Sequence, residues 1–327
     1  MIISKTPFRI SFFGGGTDYP GWYRENPGAV IATTINKYCY LNVRHLPPFF
    51  DYKTRILYSK VEHVNAPDEI QHPSVRATLK FLGLADGLEI HHDADLPART
   101  GLGSSSTFTV GLLHALYALK GQMVSKMKLA LEAIHIEQEL LKEAVGAQDQ
   151  VLAAVGGFNR IDFRGDAPIQ ISPILVGRQR LNELTSHLML FFTGFTRIAG
   201  EIAREQVEGI KSHKRDLQVM YHMVEEAEKI LNGGPIEEFG KLLHEGWTIK
   251  RGLSSRVSTS AIDGIYDTAR KAGAAGGKLL GAGGGGFMLI FAAPDRQAAV
   301  KDALKELLHV PFGFETLGSQ IIHYDAE

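Results

Sequence analysis

The sequence contains very little cysteine and no long apolar run. Its single cysteine, Cys39, excludes an internal disulfide and a thiolate metal cluster, which suits a reducing cytosol. No stretch of about 18 apolar residues occurs, so no segment is predicted to span a membrane. The first residues interrupt their apolar positions with Lys5 and Arg9 and therefore lack the core of a signal peptide. We expect a cytoplasmic protein with no membrane partner.

An excess of charge of one sign is also missing. The formal net charge of the 327 residues is -1 at pH 7, which argues against nucleic acid as the main partner. Any anionic ligand must therefore be held by local groups. The length exceeds what one hydrophobic core usually supports, and we expect two domains, 1–185 and 186–327. The sequence leaves open whether the chain forms a homodimer.

The hydrophobic pattern predicts strands and helices that do not strictly alternate, which is typical of an α+β fold. Strands are expected at Ile2 to Phe13, Ala29 to Ile35, Tyr38 to Arg44, Arg55 to Tyr58, Leu88 to His91, Gly157 to Phe163, His187 to Phe192, Phe287 to Phe291 and 318–324. Helices are expected near 74–82, 106–119, 125–143, 148–154, 198–211, 214–232, 236–251, 261–272 and 296–308.

A run of glycines and serines from Gly101 to Ser106 precedes an apolar segment of helical length, Phe108 to Leu119. Small residues let the backbone close around an anion, and a helix start offers unpaired N–H groups and a partial positive charge. The run is neither the common P-loop nor the dinucleotide fingerprint, because Ser106 stands where the latter needs glycine or alanine. It predicts a phosphate-binding loop, with a merely capped helix as the alternative.

A second motif runs from Thr6 to Tyr19, where a predicted strand leads into three consecutive glycines. The strand places Arg9 beside a glycine turn that projects Asp18. A carboxylate accepts two hydrogen bonds, which suits neighbouring hydroxyls of a sugar. In the alternative interpretation, Asp18 only bonds the backbone of its own turn.

Two acidic residues follow the phosphate loop, Glu137 and Asp149. A magnesium-nucleotide enzyme needs few protein ligands to the metal, because phosphate oxygens and water supply the rest. A second carboxylate is needed near the acceptor hydroxyl, to orient it and to take its proton. As alternatives, Glu137 is a solvated charge on a helix and Asp149 caps the helix that follows Gly146.

The third motif is the glycine-rich segment from Gly276 to Gly286. Polar flanks would make it a flexible linker, but it lies between a predicted helix and the apolar Phe287 to Phe291. Glycine is costly to order. The segment therefore predicts a close approach of the backbone to a ligand or to the other glycine loop.

Together, and in this order, the three motifs resemble those of the galactokinase, homoserine kinase, mevalonate kinase and phosphomevalonate kinase superfamily, the GHMP kinases. The resemblance covers essentially the whole chain. It implies a two-domain α+β fold, with an N-terminal domain like ribosomal protein S5, a C-terminal ferredoxin-like α/β domain and the active site between them. It also implies a kinase that uses ATP and Mg²⁺ and that phosphorylates a small molecule.

The resemblance assigns roles to individual residues. Asp149 matches the catalytic aspartate, and Arg9 would lie beside it and stabilise charge on the transferred phosphoryl group. Ser105 and Glu137 would be the magnesium ligands. The nucleotide would be bound by Pro97, Arg99, Gly101, Leu102, Gly103, Ser104, Ser105 and Ser106. The acceptor sugar would contact Asp18, Gly15, Gly16, Thr17, Gly283 and Gly284.

Within the superfamily the sequence is most similar to bacterial D-glycero-D-manno-heptose 7-phosphate kinases, which phosphorylate the anomeric hydroxyl on the route to nucleotide-activated heptose. The supporting segments are Phe8 to Tyr19, Gly156 to Arg160, Thr193 to Arg197 and Trp247 to Arg251. Gly15 and Gly16 replace the Glu-His pair that touches the sugar in galactokinases, so galactose is a poor candidate.

A phosphorylated sugar needs cations, and Lys250, Arg251 and Arg256 offer three within seven residues. The alternative is a solvated basic helix face. Two other functions remain open at this point. One is a 1-kinase for an unphosphorylated sugar such as L-fucose, and the other is a non-catalytic sugar-binding regulator. A regulator has no need for a metal ligand together with a base, which favours an enzyme.

Overall fold

Two β-sheets organise the chain in the computed structural model, which describes residues 1–84, 87–194 and 199–325. The larger sheet has nine strands and the smaller has four. The strands in chain order are β1 (Ile2–Phe13), β2 (Gly28–His45), β3 (Thr54–Leu57), β4 (Val61–Val64), β5 (Leu88–Ala94), β6 (Phe158–Phe163), β7 (Gln170–Pro173), β8 (Leu188–Phe192), β9 (Gly276–Leu279), β10 (Phe287–Phe291), β11 (Leu308–His309), β12 (Phe314–Glu315) and β13 (Gln320–Tyr324).

The helices pack around these sheets and connect them. They are α1 (Pro20–Tyr23), α2 (Pro73–Phe81), α3 (Ser104–Leu119), α4 (Lys126–His135), α5 (Gln148–Val155), α6 (Arg178–Ser186), α7 (Ala199–Glu208), α8 (Lys214–Leu231), α9 (Ile236–Gly252), α10 (Ser260–Lys271) and α11 (Gln297–Ala303). A short 3₁₀ turn lies at Pro67–Glu69, and a π-helical turn at Ile136–Leu140 continues α4.

The larger sheet has the order β13-β1-β2-β5-β3-β4, with β12 and β6 also paired to β2, and β7 paired to β6. All of its pairs are antiparallel except β3 with β5. The smaller sheet has the antiparallel order β11-β8-β10-β9. The mixed arrangement confirms the expected α+β class.

Strand β1 packs against elements from both halves of the chain. Its first residues alternate between buried and partly exposed, whereas the last eight are all buried. The change occurs because helix α3 covers one face of the strand and the C-terminal half packs at its end. There the rings of Phe12 and Phe13 lie 5.5 Å and 5.0 Å from that of Phe239 on α9. This packing fixes the direction in which β1 delivers the glycine turn that follows it.

The last two strands, β12 and β13, pair with β2 and β1 and so return to the larger sheet. The chain therefore crosses between the two sheets more than once. The division into 1–185 and 186–327 stays a prediction.

Three local expectations differ from the structure. The two strands expected at 29–35 and 38–44 are one strand, β2, because β1 pairs with it on both sides of the polar Asn36. The long helix expected over 125–143 stops at His135 and widens into the π turn. The first part of the glycine-rich segment is strand β9 rather than loop, since Gly276 to Leu279 pair with β10.

The two glycine-rich loops contact each other through their backbones, which is one of the two alternatives that the sequence left open. A Cβ atom added at Gly101 would lie 2.3 Å from the carbonyl oxygen of Leu280. One added at Gly286 would lie 2.2 Å from the carbonyl oxygen of Thr100. No side chain fits at either position, so glycine is required for the two halves to approach this closely.

This contact gives a stability prediction for Gly101→Ala. Gly101 and the control Gly121 both adopt positive φ, 83° and 67°, but a Cβ at Gly121 has nothing within 4 Å. Gly121→Ala should therefore cost only the left-handed conformation, about 1 kcal/mol. Gly101→Ala adds the backbone clash and should cost at least about 3 kcal/mol in the free energy of unfolding. Urea denaturation of both variants measures the difference, and equal losses would contradict the packing argument.

Candidate active site

A cleft of about 430 Å³ lies where the two glycine-rich loops, β1 and α5 meet. The expected site residues that line it are Arg9, Gly15, Gly16, Asp18, Arg99, Gly101, Gly103, Ser104, Ser105, Ser106, Asp149 and Lys250. Residues that the sequence analysis had not assigned also line it, among them Ser11, Gln148, Arg204 and Lys278. The segments are far apart in sequence, so the cleft exists only in the folded chain.

Arg9 and Asp149 form a two-pronged ion pair at the centre of this cleft. The Nε of Arg9 lies 2.6 Å from Oδ1 of Asp149, and its second terminal nitrogen lies 2.7 Å from Oδ2. The remaining terminal nitrogen donates to the carbonyl oxygen of Gly101, at 2.7 Å. Arg9 is nearly buried, while the Asp149 side chain keeps 23% of its surface exposed. The pair thus holds one carboxylate in a fixed orientation and leaves it accessible from the cleft.

Gly103 lies directly against this ion pair. A Cβ there would lie 3.2 Å from Cγ of Arg9 and 3.4 Å from Oδ2 of Asp149. Gly103 also caps α3 in the left-handed conformation, with φ of 80°. The phosphate loop and the ion pair are therefore built against each other.

Asp18 is buried beside the cleft and is held by more than its own turn. Oδ1 accepts from the backbone N–H of Gly16 at 3.0 Å, and Oδ2 accepts from Nε2 of Gln148 at 2.9 Å. A Cβ on Gly146 would lie 1.9 Å from Oδ2 of Asp18, so glycine makes room for the carboxylate. Burial, and then the charge of Asp149, raise the pKa of Asp18 above its ordinary value.

Two buried oxygens at the cleft have no hydrogen-bond partner among the described residues, Oγ of Ser11 and Oε1 of Gln148. Unpaired buried polar atoms are unfavourable, and a bound polar ligand would satisfy them. The sequence held a signal for both. Ser11 lies two residues after Arg9, hence on the same face of β1, and Gln148 directly precedes Asp149.

The glycine-serine run opens the long helix α3, as expected, and its three serines line the cleft. The unpaired N–H groups at the start of this 16-residue helix suit an anionic ligand. Two residues assigned to nucleotide binding do not line the cleft, Pro97 and Leu102. Leu102 is buried, and its carbonyl oxygen accepts from the backbone N–H of Arg9 at 3.1 Å. Leu102 therefore stabilises the phosphate loop through its buried side chain and this backbone hydrogen bond.

Glu137 lies behind the loop, fully buried, on the π turn. Its carboxylate accepts from Ser106 at 2.7 Å, from Thr109 at 2.8 Å and from Gln150 at 2.5 Å. Burial raises the pKa of Glu137 to about 7. The sequence analysis had placed Glu137 together with Ser105, as two ligands of one magnesium ion. In the structure the π turn directs Glu137 towards the inward-facing Ser106, whereas Ser105 is exposed at the cleft.

The oxygen atoms near the loop fit Mg²⁺ in kind. Serine hydroxyls and one carboxylate are hard oxygen ligands, which this ion prefers. Throughout the part of the chain that the structure describes, no group of three or more histidine, cysteine, aspartate or glutamate side chains could hold a metal ion. A metal here needs most of its ligands from phosphate and water.

Several residues expected at the acceptor are placed elsewhere. Arg251 pairs with Asp263 at 3.0 Å, and Arg256 pairs with Glu205 at 2.9 Å, so neither arginine lines the cleft. Lys250 does line it. Successive residues of a helix point about 100° apart, and on α9 this turns Arg251 away from the cleft towards Asp263 while Lys250 faces it.

Three smaller residues are also placed outside the cleft. Gly283 and Gly284 pack on Val257, whose carbonyl oxygen accepts from the N–H of Gly284 at 2.9 Å. The hydroxyl of Thr17 is buried and donates to the carbonyl oxygens of Gly14 and Ala29. These residues shape the backbone of the loops. Phe195, Thr196 and Arg197 of one motif lie outside the described residues.

Two family descriptions match the chain in the expected order. Residues 72–157 match the GHMP kinases N terminal domain, and residues 223–310 match the GHMP kinases C terminal domain.

Within the described part of the chain, the structure contains no helix that is both long enough and apolar enough to cross a membrane.

Known proteins resemble the chain along its whole length. It is 30% identical to the D-glycero-alpha-D-manno-heptose 7-phosphate kinase of Campylobacter jejuni, over 93% of both chains. It is 26% identical to the bifunctional fucokinase/GDP-fucose pyrophosphorylase of Arabidopsis thaliana, over 88% of this chain and 29% of that protein. Among solved structures, a D-glycero-D-manno-heptose 1-phosphate kinase from Bacteroides thetaiotaomicron shares the fold, with a TM-score of 0.79, 24% identity and full coverage of both chains.

These matches agree with the motifs and with the cleft that the fold assembles. The fold is that of the GHMP kinases, with their N-terminal and C-terminal domains. The protein is accordingly a phosphotransferase of this kind, which uses ATP and Mg²⁺. The chain belongs to the GHMP kinase family.

Proposed function

We propose that the protein is a sugar 1-kinase that phosphorylates the anomeric hydroxyl of D-glycero-D-manno-heptose 7-phosphate, giving the 1,7-bisphosphate for nucleotide-activated heptose synthesis. The observation that carries the proposal is the Arg9–Asp149 pair, which lies between the phosphate loop and the Asp18 region. The 30% identity to the Campylobacter jejuni heptose 7-phosphate kinase supports the choice of sugar. The buried Cys39 and the need for ATP support a cytoplasmic location.

Asp149 is the proposed proton acceptor. The acceptor oxygen forms a bond to the terminal phosphorus of ATP, the bond from that phosphorus to the ADP oxygen breaks, and the hydroxyl proton passes to Asp149. Arg9 orients the carboxylate through two hydrogen bonds and presents positive charge beside the transferred group. Its third contact, to Gly101, ties this alignment to the loop that holds the phosphates.

The first turn of α3 is the proposed phosphate site, where the N–H groups of Ser104, Ser105 and Ser106 begin the helix. Mg²⁺, when bound, neutralises phosphate charge during the transfer. We assign Ser105 and Glu137 as its protein ligands. The contact between Ser106 and Glu137 makes Ser106 a competing hydroxyl for that role.

The sugar hydroxyls are the proposed partners of Asp18, Gln148 and Ser11. The last two carry the unpaired oxygens at the cleft. Gly15 and Gly16 line the same region, and a Cβ at Gly15 would stay 3.8 Å from Oγ of Ser11. A polyol can therefore approach the backbone here, and its hydroxyls can donate to oxygens that otherwise lack a partner.

A second candidate is a 1-kinase for an unphosphorylated sugar such as L-fucose. Its support is the 26% identity to 29% of the bifunctional fucokinase/GDP-fucose pyrophosphorylase of Arabidopsis thaliana. A non-catalytic sugar-binding regulator is disfavoured, because the Arg9–Asp149 pair and the buried Glu137 serve no need of simple binding.

The acceptor is tested by ADP release with a panel of sugars. Heptose 7-phosphate should give a kcat/KM at least about tenfold above those of free heptose, L-fucose, galactose and mannose, because a charge-assisted hydrogen bond contributes about 1.5–3 kcal/mol. A preference for L-fucose would replace the first candidate by the second. ADP release with none of the sugars, despite ATP binding, would favour the regulator.

Asp149→Asn tests the proposed base. The substitution keeps the shape of the side chain but removes its ability to accept a proton, so kcat should fall by about 10² or more. The Kd for ATP, measured by calorimetry, should remain nearly constant. Near-normal turnover would show that Asp149 has only a structural role, through its ion pair with Arg9.

Ser105→Ala and Ser106→Ala separate the two candidate metal hydroxyls. If Ser105 binds Mg²⁺, its loss should raise the Mg²⁺ concentration for half-maximal activity severalfold, whereas Ser106→Ala should change it less. Glu137→Gln should raise it in either case, because a neutral amide is a poorer ligand than a carboxylate. A larger effect of Ser106→Ala would transfer the assignment to Ser106, and no effect of any variant would reject the site.

A further inference from the structure

Two lysines from the C-terminal half lie at the wall of the cleft, and within the described part of the chain their hydrogen-bond partners are backbone oxygens. Lys278, on β9, donates to the carbonyl oxygen of Phe12 at 2.8 Å. Lys250, on α9, donates to the carbonyl oxygens of Leu279 and Gly281. Among the described residues no carboxylate forms an ion pair with either lysine. The buried Asp18 carboxylate acts on both amines electrostatically but forms an ion pair with neither.

The surroundings make this arrangement unfavourable. Lys278 is only 7% exposed, and Lys250 is partly buried. Arg9 is close enough to lower the pKa of both amines further, after the larger effect of burial, and the pKa of Lys250 falls to about 7. The carboxylate of Asp149 is already paired with Arg9. A cluster of cations out of bulk water costs free energy unless an anion joins it.

The position of the lysines indicates which anion this is. Lys278 bonds to the residue that follows Ser11, and so lies next to the proposed hydroxyl site rather than at the start of α3. Lys250 bonds to Gly281, which contacts Gly101 at the edge of the phosphate loop. The nucleotide phosphates have the helix N-terminus and Arg9 as partners. Both amines are also close enough to Asp18, the proposed sugar residue, for its charge to act on them, which places them towards the acceptor side.

We propose that Lys278 and Lys250 bind the phosphate ester of the acceptor, so that Lys250 keeps the role the sequence suggested for it and Lys278 replaces Arg251 and Arg256. This inference rests on the proposed function, since it requires an acceptor that carries an anion. The two ammonium groups supply point charges from β9 and α9, while Asp18, Gln148 and Ser11 contact the hydroxyls. The enzyme would thereby select phosphorylated over free sugars.

A structural role is the competing explanation, because the bond from Lys278 to Phe12 joins the smaller sheet to the end of β1. If this bond is only structural, a Lys278 variant should be less stable but should keep the preference between phosphorylated and free sugar. The ratio of the two kcat/KM values therefore separates binding from support. Lys241, exposed on the same helix as Lys250 and paired with Glu238, provides a matched control.

The experiment measures kcat/KM for heptose 7-phosphate and for unphosphorylated heptose in wild type, Lys250→Met, Lys278→Met and Lys241→Met. Each cleft variant should lose about 10- to 100-fold with the phosphorylated sugar, mainly through KM, because a hydrogen bond to a charged group is removed. The values with free heptose and the KM for ATP should stay within about twofold. Lys241→Met should match wild type throughout.

Other outcomes identify what has failed. A wild type that prefers free sugar overturns the proposed substrate, and the inference falls with it. A wild type that prefers heptose 7-phosphate, with the same preference in both cleft variants, overturns the lysine assignment alone. Equal losses with both sugars together with a higher KM for ATP would assign the lysines to the transferred phosphate instead. If Lys278→Met does not fold, Lys250→Met and the shift in Tm of wild type with heptose 7-phosphate decide the question.

Discussion

The ion pair between Arg9 and Asp149 is the interaction on which the rest of the site depends. It joins the middle of β1 to the first turn of α5, and the third bond of Arg9 reaches the backbone of the phosphate loop at Gly101. Three segments far apart in sequence are thereby held in one arrangement. Because the pair is nearly buried on the arginine side, little water competes for these hydrogen bonds. The carboxylate keeps one exposed side for an acceptor.

Glycine provides the second constraint, and it acts through the close approach of backbones. Gly101 touches Leu280, Gly103 leaves space for the ion pair, and Gly146 leaves space for Asp18. A methyl group would overlap an oxygen atom at Gly101 and at Gly146, and at Gly103 it would press against Arg9. The many glycines of the three motifs are therefore explained less by flexibility than by steric room, although several of them also adopt positive φ.

The cations of the cleft show how the two halves of the chain cooperate. The N-terminal half supplies Arg9 and the start of α3, while the C-terminal half supplies Lys250 and Lys278. The net charge of the whole chain is only -1, so this local positive potential comes from placement and not from composition. If the proposed function holds, two phosphorylated ligands bind on neighbouring walls of one cleft, with Arg9 and Asp149 between them.

The sequence by itself determined the family and the α+β class, and it named Arg9, Asp18 and Asp149 as site candidates that the structure brings to one cleft, because these follow from short motifs whose chemistry is local. Tertiary structure alone decided which cations face the cleft, which serine contacts Glu137, and that Ser11 and Gln148 carry unpaired oxygens. The physical reason is that these outcomes depend on the direction in which each side chain points. One residue along a helix turns a side chain by about 100°, and the π turn before Leu141 shifts that phase. The helix propensity of the residues does not determine which side of a helix faces the cleft. Packing between segments that are distant in sequence determines it.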